Sequence, residues 1–459
     1  AQGNRYVTGF FATDFTFDTS LDSLVSDDAN NSAFVAKFDT SGTVLWQKSL
    51  GNNNEGTLNG GAVGRGIAVT PAGDVVVVGV VDGSVAEEGG DTPVLDTDRA
   101  QLFVWRLDTD GNTVWLKATE SERAIRGDKV DFGANNDIYV GGTEIDAAGT
   151  INLDLDDNTN TDADKNTGGF DDAFIVRYNS SGGFLKAQTV RGVRDETVQD
   201  LDYTPADGGK VALSGFTTTN GDVFVDDDTN DKLAFTSAFD RRNAYFVVYN
   251  DTLGFDYGIP AIVDDNNVIG GGVHFDDNNG ELWALGTTVG ETTYGDTIGP
   301  DVGIGEDPFL LRVETTGNIK HIIQLSSPGS DRALGLDVDA DGNAYVTGWV
   351  GNSLDMGNGF AYTSVGDLDA FMMVVDPSGT TTYGTGYGGN GDQRGNQISV
   401  DPFGHVAVAG MHVESFFVDN FEFTHVDETR RDAYVAFFRD PSVIDVSRHE
   451  LVNGILSLY

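Results

Sequence analysis

The sequence contains no cysteine, only 10 prolines and almost no helical periodicity. Disulfides therefore play no part in its stability, and a chain of 459 residues does not need them because its core is large. Apolar residues recur with a period of two instead of 3.6, which predicts strands and not helices. No apolar run approaches the length of a membrane span, so we expect no direct insertion into a membrane.

Basic residues are scarce as well. The 27 Lys and Arg stand against 73 Asp and Glu, which gives a formal net charge of −46. This charge excludes unaided binding to nucleic acid or an anionic membrane, since both need a positive face. Three explanations of the excess of Asp remain open: Asp bonds the backbone in turns, ligates calcium, or keeps a surface hydrated in a saline habitat.

Motifs of common enzymes are missing too. The sequence has no Gly-x-Ser-x-Gly, no His-Glu-x-x-His and no glycine-rich loop followed by a helix that would hold a phosphate. The six His residues are scattered. His274 is the most suggestive because it lies on a predicted strand that lines a channel; the alternative is a packed or solvent-facing side chain.

What the sequence does contain is a repeated hairpin. Residues 32–51 read "SAFVAKFDTSGTVLWQKSLG", in which alternating apolar residues flank the turn "DTSG". Six near-copies follow along the chain: "QLFVWRLDTDGNTVWLKAT", "DAFIVRYNSSGGFLKAQ", "NAYFVVYNDTLGFDYGI", "DPFLLRVETTGNIKHII", "DAFMMVVDPSGTTTYGT" and "DAYVAFFRDPSVIDVSR".

A second recurring segment lies between the hairpins, as in "GDVVVVG" and "GNAYVTG", and a third precedes most copies, as in "GIAVTPAG" and "GLDVDADG". Each repeat therefore predicts four short strands, which we name first to fourth in chain order. Four-stranded antiparallel units repeated seven times predict an all-β fold, a seven-bladed β-propeller. We expect residues 1–459 to form this single domain.

The ends of the chain test the prediction. The first repeat lacks its first strand, and the last one runs on into "GILSLY". Aligned with "LGLDVDADGNAYVTG", Leu456 matches Leu336 and Leu458 matches Val338. The C-terminal segment is thus expected to supply the missing first strand beside the N-terminal second, third and fourth strands, closing the ring and removing an open edge.

The repeats resemble the secreted bacterial β-propeller repeat family, often labelled SBBP. The resemblance covers all seven repeats and is clearest at residues 32–51, 335–348 and 369–375. It implies an extracellular or cell-surface location and no single activity, because propellers host many functions. The start at Ala1, without Met, also favours a mature end left by signal peptidase, although a trimmed chain would start in the same way.

Long connections between second and third strands hold most of the unusual acidity, so binding is expected on that side. Asp and Asn at alternate positions place their side-chain oxygens on one side of the loop, as calcium ligands require. Calcium is the only cofactor expected, and the alternative is a solvated polar loop without a metal. Among the aromatic residues, Trp46 and Trp115 are expected to pack between blades; of Trp283 and Trp349, only Trp349 is predicted at a position from which it can reach the loop face. The candidate calcium ligands are Asp154, Asp156, Asn158, Asn160, Asp162 and Asp164 in one loop, and Asp226, Asp228 and Asn230 in another.

Two functions remain in competition. The first is a non-catalytic extracellular or cell-surface scaffold that engages a protein or polysaccharide through its long-loop face. The second is a polysaccharide-active enzyme, a lyase or glycosidase, working in a central channel. Acidic and basic side chains converging in the channel would favour the enzyme, and an apolar channel with one exposed face would favour the scaffold.

Overall fold

The structure is a computed structural model, and every sheet in its described residues is antiparallel. The described residues are 3–12, 16–17, 22–24, 26, 30–40, 42–51, 60–87, 94–145, 149–155, 163–166, 170–227, 231–236, 241–263, 266–300, 305–418, 421–423, 432–440, 443–452 and 456–458. The chain divides into two compact units, of which unit 1 comprises residues 1–191 and 452–459 and unit 2 comprises residues 192–451. Among the described strands no sheet closes on itself.

Unit 1 contains three groups of four strands, each paired in chain order. The first group is β1 (Arg5–Phe11), β2 (Ser32–Phe38) and β3 (Val44–Gly51) with the C-terminal β38 (Leu456–Leu458). The second is β4 (Gly61–Val69), β5 (Val75–Glu87), β6 (Leu95–Leu107) and β7 (Thr113–Ala118). The third is β8 (Ile125–Phe132), β9 (Ile138–Glu144), β12 (Ala173–Tyr178) and β13 (Phe184–Val190), with an added hairpin of β10 (Thr150–Asn152) and β11 (Asp164–Asn166).

Unit 2 contains four such groups, each with an added hairpin. The first strands are β14 (Glu196–Thr204), β20 (Ile269–Asp276), β26 (Asp331–Val338) and β32 (Gln393–Val400). The second are β15 (Lys210–Thr217), β21 (Glu281–Thr288), β27 (Ala344–Val350) and β33 (Val406–His412). The third are β18 (Asn243–Asn250), β24 (Asp307–Val313), β30 (Asp369–Val375) and β36 (Asp432–Asp440). The fourth are β19 (Phe255–Ile262), β25 (Ile319–Gln324), β31 (Thr381–Gly389) and β37 (Val443–Val452). The hairpins are β16 (Gly221–Phe224) with β17 (Lys232–Phe235), β22 (Thr293–Tyr294) with β23 (Thr297–Ile298), β28 (Ser353–Gly357) with β29 (Phe360–Thr363), and β34 (Phe416–Val418) with β35 (Phe421–Phe423).

Two 3-10 turns, Ala134–Asn136 and Ala206–Gly208, each lie between a first and a second strand. No helix among the described residues is long and apolar enough to cross a membrane. The tight turns follow the predicted chemistry. At the first one the Asp39 carboxylate accepts the Thr43 N–H at 2.9 Å, and Gly42 takes a positive φ of 80°.

The core of each unit consists of apolar layers between neighbouring groups of strands. Val75, Val76, Val77 and Val78 on β5 are all fully buried, and they contribute alternately to one layer and to the next. A central strand covered on both faces needs no polar face, which is why the period of two predicted for every strand fades there. The fourth strands are less buried, as β7 and β25 show, since neither contains a fully buried residue.

The predicted pairing of the chain's ends is present within unit 1. Strand β38 lies antiparallel to β1, with Leu458 opposite Val7 and Leu456 opposite Gly9. The predicted register is wrong, however. In the group of β26 and β27, Leu336 lies opposite Val346, and the alignment with Leu456 predicts Leu456 opposite the matching Val7, where the structure has Leu458. The repeat alignment therefore placed the C-terminal strand two residues out of step.

Candidate functional site

The first strands of unit 2 lie side by side and carry charged residues at matching positions. Asp202 on β14 and Asp337 on β26 stand two places after a β-bulge or similar register shift in the pairing with the second strand, and His274 on β20 stands one place after such a shift. Bulges of this kind re-aim side chains and are frequent beside functional sites. These three residues, which we call the Asp-His-Asp group, are the strongest candidate for a charged site in this unit.

Both ring nitrogens of His274 act as donors within the protein. Nε2 lies 2.8 Å from Asp337 Oδ1, and Nδ1 lies 3.0 Å from the carbonyl oxygen of Phe275 and 3.6 Å from Asp202 Oδ2. A carbonyl oxygen only accepts, so Nδ1 carries a proton, and Nε2 donates to a carboxylate. The imidazole is therefore an imidazolium ion held between two acidic side chains.

The electrostatics of the group agree with this assignment. Burial opposes a charged ring, but the carboxylates of Asp202 and Asp337 outweigh burial and raise the pKa of His274 well above its usual range. A doubly protonated imidazole cannot accept a proton, so His274 in this state is no general base.

The carboxylates of the first strands also bond to the backbone of the next first strand. The N–H groups of Val273 and Phe275 donate to Asp200 and Asp202, at 3.1 and 2.8 Å, and the N–H of Val400 donates to Asp337 at 2.6 Å. A first strand is the edge of its sheet, and its outward N–H groups have no ladder partner. The acidic side chains satisfy these donors and tie neighbouring groups together.

Unit 1 has a related link between β4 and β8. Asp128 is 5% exposed and accepts from Arg65 at 2.7 Å, from Arg126 at 2.9 Å and from the Thr143 hydroxyl at 2.7 Å. Its two oxygens thus meet three donors. This carboxylate, like those of unit 2, joins adjacent first strands.

The predicted calcium loops lie in the connections that contain the hairpins β10 with β11 and β16 with β17. Asp154 is 7% exposed just after β10, and the neighbouring Leu153 carbonyl accepts the Tyr178 hydroxyl at 2.7 Å. Asp226 is 2% exposed and accepts the Phe255 N–H at 3.1 Å, while the Val225 carbonyl accepts the Tyr249 hydroxyl. Both Asp residues are therefore buried at equivalent places beside their own sheets. Lying outside the described residues are Asp156, Asn158, Asn160, Asp162, Asp228 and Asn230, as well as the side chain of Asp164.

In the described part of the chain, no group of three or more His, Asp or Glu residues is placed to hold a metal ion. The repeat pattern also missed that the acidic connections form hairpins. Two of these hairpins extend the fourth strand of the preceding group: Ala261 of β19 pairs with Tyr294, and Gly388 of β31 pairs with Phe417. Alternating apolar residues in these connections, as in "INLDL", are the sequence pattern from which the added strands could have been predicted.

The tryptophan predictions had mixed outcomes. Trp46 and Trp115 occupy matching places on fourth strands, and each indole N–H donates at 3.2 Å to a turn of the following group, at Thr109 and Ser180. Packing between groups is thus confirmed. The prediction that Trp349 can reach the loop face is wrong, because it is 8% exposed and lies between the guanidinium groups of Arg332 and Arg394.

An open depression of about 870 Å³ lies in unit 1. Three exposed carboxylates, Asp82, Asp96 and Asp98, stand on its wall with the amides of Asn30 and Asn31, and none of its described lining residues is basic. Ser84 fixes one of the carboxylates by donating to Asp96 Oδ1 at 2.6 Å. We call this the acidic depression.

Comparison with known proteins gives limited guidance. No family model matches the sequence. The chain is similar to "Regulatory protein FlaEY" from Caulobacter vibrioides, with 24% identity over 366 residues, which cover 74% of this chain. The chain spans about a third of that relative's length, 34%.

Among solved structures, Synechocystis apocarotenoid oxygenase has 12% identity, covers 100% of this chain and 92% of its own, and has a TM-score of 0.45. Dihydro-heme d1 dehydrogenase NirN has 11% identity, covers 100% of this chain and 75% of its own, and has a TM-score of 0.42. Similarity at this level assigns no function.

Proposed function

We propose that the chain is a non-catalytic binding module, secreted or at the cell surface, that engages a protein or polysaccharide. We further propose that it is a closed seven-bladed β-propeller of the SBBP type. Three four-stranded groups in one unit, four in the other and the pairing of β38 with β1 support this architecture.

One observation carries the preference for binding over catalysis. Both nitrogens of His274 donate within the protein, and the carboxylates beside it accept backbone N–H groups of the next strands. Charged side chains engaged in this way join sheets and are not available as a free acid and base. The name of the FlaEY relative, a regulatory protein, also supports an action through binding.

The enzyme alternative has one observation in its favour, which is that acidic and basic side chains do converge at the Asp-His-Asp group. The charge of the chain opposes a lyase, because lyases act on anionic uronate polymers and a surface of −46 repels them. We therefore expect any polysaccharide partner to be neutral or cationic.

The acidic depression is the proposed contact in unit 1. Carboxylates and amides on a concave wall can form hydrogen bonds with sugar hydroxyls, and the carboxylates can also accept from the cationic side chains of a protein.

We propose in addition that calcium orders the acidic connections around Asp154 and Asp226. Calcium bound there should raise the melting temperature. An unchanged melting temperature on adding a chelator would dismiss that role.

A glycan array with purified protein, paired with an assay for polysaccharide degradation, tests the proposal. We expect binding without cleavage, and binding weakened by Asp82→Lys and Asp98→Lys. Asp341→Lys, at an exposed turn of unit 2, is the matched control and should bind as the wild type does. Release of reducing or unsaturated ends would establish the enzyme instead.

A further inference from the structure

Two buried acidic residues in unit 2 lack the partners that buried carboxylates need. Asp307 and Asp331 begin strands β24 and β26, and both are 0% exposed. In the described part of the chain, no donor makes a hydrogen bond of normal geometry with either oxygen of Asp307 or with Oδ2 of Asp331. A buried ionised carboxylate without donors is costly, so such a group needs a proton or a counter-ion.

The two residues meet at one junction of the backbone. The N–H of Asp331 donates to the carbonyl of Glu306, the residue before Asp307, at 2.7 Å. The other oxygen of Asp331 accepts the Gly351 N–H at 2.8 Å, which ties the junction to the end of β27. We call the backbone around these two bonds the 307/331 junction.

A residue at the same place in the next group of strands shows what Asp307 lacks. Asp369 begins β30 and is also 0% exposed. Its Oδ2 accepts the Tyr362 hydroxyl at 2.8 Å and the Val365 N–H at 2.7 Å, both from the connection that contains β28 and β29. The corresponding hairpin before Asp307, β22 with β23, instead extends the preceding sheet at β19.

The charged groups at the junction do not offer Asp307 a counter-ion. Glu306 pairs with Arg332 at 2.7 Å, and the neutral Ser327 hydroxyl accepts the Gly329 N–H. Asp331 is itself acidic; burial raises its pKa, and the Ser327 hydroxyl and the Gly351 N–H lower it. On the neighbouring β21, the residue opposite Asp307 is Thr288, which does not titrate. Burial raises the pKa of Asp307 to about 7; the backbone of Ser327 lowers it, and the carboxylate of Asp331 raises it.

We propose that Asp307 is a buried proton-binding residue that keeps the 307/331 junction closed when it is neutral and loosens the junction when it ionises. Neutral Asp307 carries a hydroxyl donor, and among the described groups none makes a hydrogen bond of normal geometry with Asp331 Oδ2. Ionisation places a second negative charge beside Asp331 in a site that excludes water. The fold thus contains a device that responds to pH near neutrality.

The sign of the response follows from linkage. A carboxyl group with a raised pKa in the folded state stabilises the fold fully below its unfolded pKa of about 3.9. This stabilisation is lost as pH rises through about 7. The whole chain also loses stability at high pH through its negative charge, so the contribution of Asp307 must be measured as a difference between variants.

The experiment compares melting temperatures of the wild type, Asp307→Asn and Asp369→Asn at about pH 5.5 and about pH 8.5 in about 1 M NaCl, which screens surface charge. We expect the wild type to lose more on going to high pH than Asp307→Asn, which should then be the more stable of the two. Asp369→Asn should melt lower at both pH values with the wild-type slope, because a neutral amide oxygen replaces the carboxylate that accepts from the Tyr362 hydroxyl and the Val365 N–H. Equal slopes for the wild type and Asp307→Asn would overturn the proposal.

Two further measurements keep the proposal falsifiable. Infrared spectra of the wild type near neutral pH should contain the C=O band of a protonated carboxyl group, and its absence would overturn the proposal even if Asp307→Asn failed to fold. Calcium added at high pH should affect the wild type and Asp307→Asn equally. If calcium stabilises only the wild type, then Asp307 is a cation ligand and not a proton-binding residue.

Discussion

Replacing His274 with Ala should destabilise unit 2 because it leaves Asp202 and Asp337 without the cation between them. Removing one partner of a buried ion pair costs about 3–5 kcal/mol. The His274 side chain is 27% exposed, and solvent screens part of the interaction. We therefore expect a loss of about 2–3 kcal/mol in the free energy of unfolding at acidic pH.

The assay is native-state hydrogen exchange of β20 and β26, together with thermal melting, since a chain of two units need not unfold in one step. The stabilisation by His274 is fully present below its unfolded pKa of about 6.5 and is lost as pH rises through the raised folded pKa. The difference between variant and wild type should therefore shrink at alkaline pH.

His405→Ala is the matched control, because His405 pairs with Asp401 at 2.7 Å in a turn and is 31% exposed. The two His residues are similarly exposed, but His405 has one carboxylate four residues away in its own turn, whereas His274 lies between carboxylates of two other strands. A local pair of this kind contributes about 0–1 kcal/mol. The reasoning is refuted if His274→Ala costs no more than the control, or if its cost does not change with pH.

Three further predictions concern packing and closure. Gly111→Ala should cost about 1–3 kcal/mol in chemical unfolding, because Gly111 has a φ of +82° and an added Cβ would lie 2.8 Å from the Trp46 ring. Gly404→Ala is the control, because Gly404 has a similar φ of +81° but no atom lies close to an added Cβ there. If both substitutions cost the same, the contact with the Trp46 ring is not the cause of the loss at Gly111. Arg312→Met should cost about 3–5 kcal/mol by leaving the buried Asp276 without a cation, whereas Glu281 keeps Lys320 at 2.7 Å, and a melting temperature within error of the wild type would contradict this. Deleting the residues from 456 onward should speed hydrogen exchange on β1, and unchanged exchange there would show that the pairing with β38 adds no protection.

Features that depend on local chemistry are predictable from the amino-acid sequence. Alternation of apolar residues predicts strands, and Asp with a glycine three places later predicts the turns, as at Asp39 and Gly42. The repeats predict four strands in each group, and the similarity of "GILSLY" to the first strand of another repeat predicts that this segment pairs with β1. Each of these signals lies within a few residues or in the comparison of one repeat with another.

The partners and the burial of the charged residues depend on the folded arrangement and are not predictable from the repeats. Neither the contact of His274 with Asp337 nor the lack of donors at Asp307 can be read from the repeat, since Asp369 occupies the same repeat position as Asp307 with two donors. The difference arises from which sheet each hairpin joins, a choice made by packing over long sequence separations. Burial and partners set the charge of an ionisable group, and both are properties of the folded chain.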